Sequence, residues 1–206
     1  MAEDVFLILH GWGGNKPAHW QEHLVTKLQE AGKQVYYPKM PDPMAPNLEA
    51  WQARLQAELE TISQESKGAP LTVLAHSLGC INWIHFSARR GENAPRIANR
   101  VLLVAPPYVV PEAPPLDAPP GVTGFFPPPF QPNTLVASAN ETTLVASDTD
   151  DYATLDQSTG VAAKLDVPIQ VLKGGGHISP YYGYGEWPWV LEWALRRADF
   201  PPQPNK

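Results

Sequence analysis

The chain has 206 residues, enough for one domain with a proper core, and 43% of them are hydrophobic, seven of these tryptophan. Lys and Arg number 15 against 21 Asp and Glu, a net charge of −6 without a basic cluster, so neither nucleic acid nor a membrane is an expected partner. No apolar run approaches the roughly 20 residues of a membrane span. The run after the acidic start Met1-Ala2-Glu3-Asp4 is too short for a signal peptide, and the lone cysteine, Cys80, suits a reducing cytoplasm.

In chain order, Val5-Phe6-Leu7-Ile8-Leu9 reads as a strand buried on both faces, followed by a glycine-rich turn. A helix is expected from Pro17, with Trp20, Leu24, Leu28 and Ala31 at helical spacing and Gly32 as its stop. A short strand at 35–37 ends at Pro38. Asn47 then caps a helix whose stripe is Leu48, Trp51, Leu55, Leu59 and Ile62. Strands follow at 71–75, 101–105, 143–147 and 169–172, and helices at 78–90, 156–165 and 187–198. This alternation predicts an α/β domain over 1–206, with a mainly parallel sheet of about six strands covered by helices on both faces. Residues 106–133, which hold much of the chain's 24-residue proline content, show neither period and are expected to form a lid or flap.

The chemistry concentrates at the ends of the predicted strands. Ala75-His76-Ser77-Leu78-Gly79 lies between a strand and a helix, the setting of a nucleophile elbow, with Ala75 where a first glycine is more usual. Small neighbours let strand and helix backbones approach, and the helix start offers N–H groups to an oxyanion. A serine needs a base, and His177 follows Gly174-Gly175-Gly176 directly after the last strand. His10 and His76 are read as loop braces, and His19, His23 and His85 as ordinary helix residues. An acid must orient the base, and Asp148, Asp150 and Asp151 all follow the 143–147 strand at the same sheet edge. His10-Gly11-Trp12-Gly13-Gly14 is the expected second half of the oxyanion hole. Gly14-Asn15-Lys16 lacks the Gly-Lys-Ser/Thr ending of a phosphate loop. The backbone N–H groups of Trp12 and Leu78 are therefore the expected donors, and no metal spacing occurs. Tyr181, Tyr182, Tyr184 and Trp187 are expected to line an apolar pocket with Trp12.

Together these stretches, with His19-Trp20, Cys80, Val104-Ala105-Pro106, Ala146-Ser147-Asp148-Thr149-Asp150 and Gly175-Gly176-His177-Ile178, give a resemblance over nearly the whole chain. The chain resembles the small serine hydrolases grouped with retinoblastoma-binding protein nine and its bacterial relatives. The resemblance implies a compact α/β-hydrolase fold without the first two strands of larger enzymes. It also implies Asp150 as the acid, with Asp151 where proline is usual. The expected activity is hydrolysis of a small carboxylic ester through an acyl-enzyme, with Ser77, His177 and Asp150 catalytic and no cofactor. Two alternatives stand beside it: an amide or peptide hydrolase using the same residues, and an idle fold acting as an interaction module. The module would work through Pro111-Glu112-Ala113-Pro114 and Pro129-Phe130-Gln131-Pro132. The sequence sets no oligomeric state.

Overall fold

The computed structural model describes residues 4–14 and 17–197. Met1, Ala2 and Glu3 of the acidic start, Asn15 and Lys16 of the glycine-rich turn, and Ala198 at the expected end of the last helix lie outside the described residues. The strands are β1 (Val5–Leu9), β2 (Gln34–Tyr36), β3 (Leu71–His76), β4 (Ala98–Val104), β5 (Ala139–Ser147) and β6 (Ile169–Leu172). All pair in parallel, in the order β2-β1-β3-β4-β5-β6. The helices are α1 (Trp20–Glu30), α2 (Leu48–Glu65), α3 (Leu78–Arg90), α4 (Pro132–Ser138), α5 (Leu155–Leu165) and α6 (Pro188–Ala194).

Alternation along the strands builds two cores. Val5, Leu7 and Leu9 face the core under α2, α3 and α5, while Phe6 and Ile8 face the one under α1 and α6. Val101 and Leu103 on β4, and Leu102 and Val104, divide in the same way. Trp51 and Trp83 seat α2 and α3 on the first face and Trp20 seats α1 on the second, each with no exposed surface. Burying one such ring removes about 150–250 Å² from water, roughly 4–6 kcal/mol of transfer free energy before ordering entropy is set against it.

The order also places the site. The chain leaves β1 for β2 on one side and returns past β1 to β3 on the other, so the sheet's winding reverses between β1 and β3. A crevice opens at such a reversal, beyond the carboxyl ends of the strands. The turns after β1 and β3 flank it, and those after β5 and β6 rise from the same edge.

Several expectations change, among them the last helix, which runs from Pro188 to Ala194 and not over 187–198. The first helix begins at Trp20 and not at Pro17, because His19 takes the capping position and accepts the N–H of Gln21 on Nδ1 at 3.2 Å. The 106–133 stretch is also not without structure. A short 3-10 turn covers Val122–Phe125, and Pro132 opens α4 as its first residue. Phe125 is fully buried against Trp51, with ring centroids 5.3 Å apart, and Val122 is buried beside it. Among the described residues no helix is long and apolar enough to cross a membrane.

Candidate active site

Ser77 is the hinge between β3 and α3, with φ 53° and ψ −126°. A non-glycine residue at positive φ costs of order 1–3 kcal/mol, a strain that surrounding structure must hold in place. The serine stands at the capping position of α3 but makes no capping hydrogen bond. Its Oγ instead lies 2.9 Å from His177 Nε2. Two glycines make the elbow possible by close approach. A Cβ on Gly79 would sit 2.6 Å from the Leu9 carbonyl oxygen, and one on Gly11 would sit 2.7 Å from Ser77 Cβ. The 10–14 turn thus runs against the serine itself. Leu78 is the first residue of α3, so its N–H has no acceptor within the helix.

The turn after β5 distributes its three carboxylates to three tasks. Asp148 Oδ1 accepts the N–H of Gly174 at 2.6 Å, and Thr149 Oγ1 accepts that of Gly176 at 3.0 Å. Both bonds hold the turn that carries His177. Asp150 Oδ1 and Oδ2 accept the Nδ1–H of His177 at 2.9 and 3.0 Å, and Oδ1 also accepts the N–H of Tyr152 at 2.9 Å. Asp151 Oδ2 accepts the hydroxyl of Tyr182. The carboxylate on His177 is therefore Asp150, and its side chain is only 2% exposed. With Nδ1 donating to Asp150, Nε2 is the unprotonated nitrogen and accepts the Ser77 hydroxyl.

Three other histidines frame this chain. His76 Nε2 donates to the His177 carbonyl oxygen at 3.0 Å, tying β3 to the base's own turn. His10 donates from Nδ1 to the Gly11 oxygen at 2.7 Å and accepts the Met40 N–H on Nε2 at 3.0 Å. Both braces match the reading from sequence. Burial holds the imidazoles of His10 and His76 below their ordinary range. His19 is no ordinary helix residue. Its ring lies 4.8 Å from that of His76, and burial, with His177 and His10 nearby, pushes it down to about 3. His85 likewise does more than fill a helix, since its Nε2 donates to the Phe125 oxygen at 2.9 Å. The Cys80 thiol is buried against the Ala75 and Val104 carbonyls, and burial pushes it well above its usual range, so it is no nucleophile.

Comparison with known proteins decides the family. Residues 6–195 match the family described as Serine hydrolase. The chain belongs to the serine hydrolase family. YdeN of Bacillus subtilis (strain 168), whose name gives it as a hydrolase, is 24% identical over 192 residues, 93% of this chain and 94% of YdeN. The crystal structure of that gene product superposes with a TM-score of 0.76 at 23% identity, covering 95% of this chain and 98% of the other. A YdeN-like hydrolase of Pectobacterium atrosepticum gives 0.72 at 19% identity, over 94% and 90%. Est1E of Butyrivibrio proteoclasticus gives 0.68 at 14% identity, over 94% and 88%. The fold is that of the α/β-hydrolases, as the elbow and the family resemblance led us to expect.

In this serine hydrolase Ser77 and His177 open into a cleft of about 600 Å³, lined also by Trp12, His19, His76, Asp151, Tyr152, Tyr181 and Tyr182. Tyr181 and Tyr182 line it with Trp12 as expected, but Tyr184 and Trp187 do not. Those two rings are buried in the core under α1 and α6, with centroids 5.3 Å apart. The sequence reading gave no role to Tyr152, whose ring packs 4.6 Å from His177 and 5.0 Å from Trp12. Its place two residues beyond Asp150 was the available signal. None of the described lining residues of this cleft comes from 106–133. That segment touches its wall through Tyr152, which accepts the Tyr108 N–H on its carbonyl at 2.9 Å and donates its hydroxyl to Asp117.

Proposed function

We propose that this serine hydrolase cleaves carboxylic esters through an acyl-enzyme on Ser77. The observation that carries the reading is the continuous hydrogen-bonded chain from Ser77 Oγ through His177 to Asp150, at the floor of an accessible cleft. Ser77 Oγ attacks the ester carbonyl carbon while its proton passes to His177 Nε2, and Asp150 stabilises the imidazolium. The N–H groups of Trp12 and Leu78 hold the oxyanion of the tetrahedral intermediate. Its collapse expels the alcohol, which takes the proton from Nε2. Water, deprotonated by the same nitrogen, then releases the acid and restores the serine. No cofactor enters the scheme.

Esters are favoured over amides by the company the fold keeps. Est1E has been solved with ferulic acid, a carboxylic acid, bound, and a monoacylglycerol lipase of Paleococcus ferrophilus shares the architecture. The module reading lacks such support. Residues 111–114 close a turn in which Ala113 N–H donates to the Val110 oxygen at 3.0 Å, and Gln131 turns back on Pro129 at 3.1 Å. The 111–114 stretch is thus a turn and not extended polyproline backbone. We place the enzyme in the cytoplasm, where a chain with one buried thiol and no disulfide is at home.

The test is a series of p-nitrophenyl esters and matching p-nitroanilides. Ester turnover that falls about 10⁴–10⁶-fold in Ser77→Ala supports the proposal. Turnover of the anilides alone transfers the mechanism to amides, and near wild-type ester turnover by Ser77→Ala contradicts it.

A further inference from the structure

The described lining of the cleft is one-sided in charge. Among its described lining residues there is one acidic side chain, Asp151, and no lysine or arginine. Its two other ring-bearing bases, His19 and His76, are kept neutral by burial. Tyr182 holds one Asp151 oxygen through its hydroxyl, which fixes the carboxylate at the rim. One further carboxylate, Asp117, accepts the hydroxyl of Tyr152 in the same wall.

The rest of the lining is aromatic. Trp12, Tyr152, Tyr181 and Tyr182 present rings around the space in front of Ser77, and Tyr181 stands 90% exposed with its ring edge-on to that of Tyr182. Among the described lining residues an anionic substrate would meet a like charge and aromatic rings. A cation would meet the negative faces of tyrosine and tryptophan and a fixed carboxylate, which is the chemistry that recognises ammonium groups.

We propose that this cleft selects esters that carry a quaternary or protonated ammonium group, seated among Trp12, Tyr181 and Tyr182 and against Asp151. The proposal rests on the esterase reading for its nucleophile. Asp151 acts here as a specificity residue, and Asp150 beside it keeps the separate task of orienting His177.

The experiment compares acetylthiocholine with S-(3,3-dimethylbutyl) thioacetate, which differ only in a positively charged nitrogen against a neutral carbon. A kcat/KM about tenfold higher for the cation is expected, of the size that ring faces and a carboxylate supply together. The ratio should fall to about threefold in Asp151→Asn, and should shrink as salt is added. Equal values in the wild type, or a preference for the neutral ester, overturn the proposal. A second readout does not depend on these thioesters. Tetramethylammonium should slow fluorophosphonate labelling of Ser77 where tert-butanol does not, and absent protection is evidence against the proposal. If neither thioester is turned over, the labelling result decides. Labelling without protection or discrimination sinks the cation proposal alone, whereas no labelling of Ser77 sinks the esterase reading with it.

Discussion

The turns at the carboxyl edge of the sheet and the proline-rich segment at 106–131 are held in opposite ways. The edge turns are polar and cross-braced: Asp148 to Gly174, Thr149 to Gly176, Asp150 to His177, His76 to the His177 carbonyl and His10 to Met40. The segment is held by apolar burial, of Val109 near its start and of Val122 and Phe125 further on, while Val110 and Leu116 between them stay exposed. Shifting an edge turn would leave the buried groups of the His76 and His10 braces unpaired, at about 1–3 kcal/mol each. Shifting the exposed part of the segment breaks little besides the contacts to Tyr152. The first region is preorganised for chemistry, and the second rests on the fold beside it.

That contrast can be broken or sharpened by mutation. The largest effect is expected from Asp150→Asn, which keeps the shape but allows the wrong imidazole tautomer. It should lower kcat on any accepted ester by about 10⁴ with little change in melting temperature. Loss of folding, seen by circular dichroism, would recast Asp150 as a structural residue. Next, Phe125→Ala should cost about 3–5 kcal/mol in urea unfolding, since a fully buried ring is removed. A loss below 1 kcal/mol would mean the segment is not anchored there.

A smaller effect is expected from pH. His10, His19 and His76 bind a proton less readily folded than unfolded, where the ordinary value is near 6.5. As pH falls below about 6.5 the unfolded chain therefore takes up more protons than the native one. Stability is unaffected by these groups above that point and declines from there towards about 3, the value of His19. Urea midpoints that stay flat between pH 7 and 5 would contradict the buried, neutral state of these rings. The smallest effect is expected from Asp117→Asn, whose bond to Tyr152 lies at the surface. A change in kcat/KM of less than about threefold is expected. A tenfold loss would show that the segment acts on the site through Tyr152.

The sequence exposed most of this architecture because buried parallel strands and amphipathic helices carry strong periods. Its blind spots have physical causes. β4 and β5 begin at Ala98 and Ala139, earlier than the apolar runs suggested, because their first residues include Asn99, Arg100, Asn140 and Glu141. α4 is short and opens on proline, so no stripe announced it. The Thr154–Gln157 capping box that starts α5 was legible but unread. At the site, Ser77 and His177 stood out by their flanking glycines. Three neighbouring aspartates share one composition and one sheet edge, so the residues themselves left the acid open, and Asp150 was singled out only by the family resemblance. His19 stayed hidden because a histidine is not among the usual caps. Tyr184 and Trp187 went to the core because a helix start near the base is also a place to bury rings.

The central claim is that Ser77 is activated by His177, and intact-mass analysis after fluorophosphonate treatment, followed by peptide mapping, tests it most directly. One adduct on the peptide carrying Ser77, absent in a folded His177→Ala variant, is the predicted result. No adduct on the folded wild-type protein, or equal labelling of His177→Ala, would contradict it.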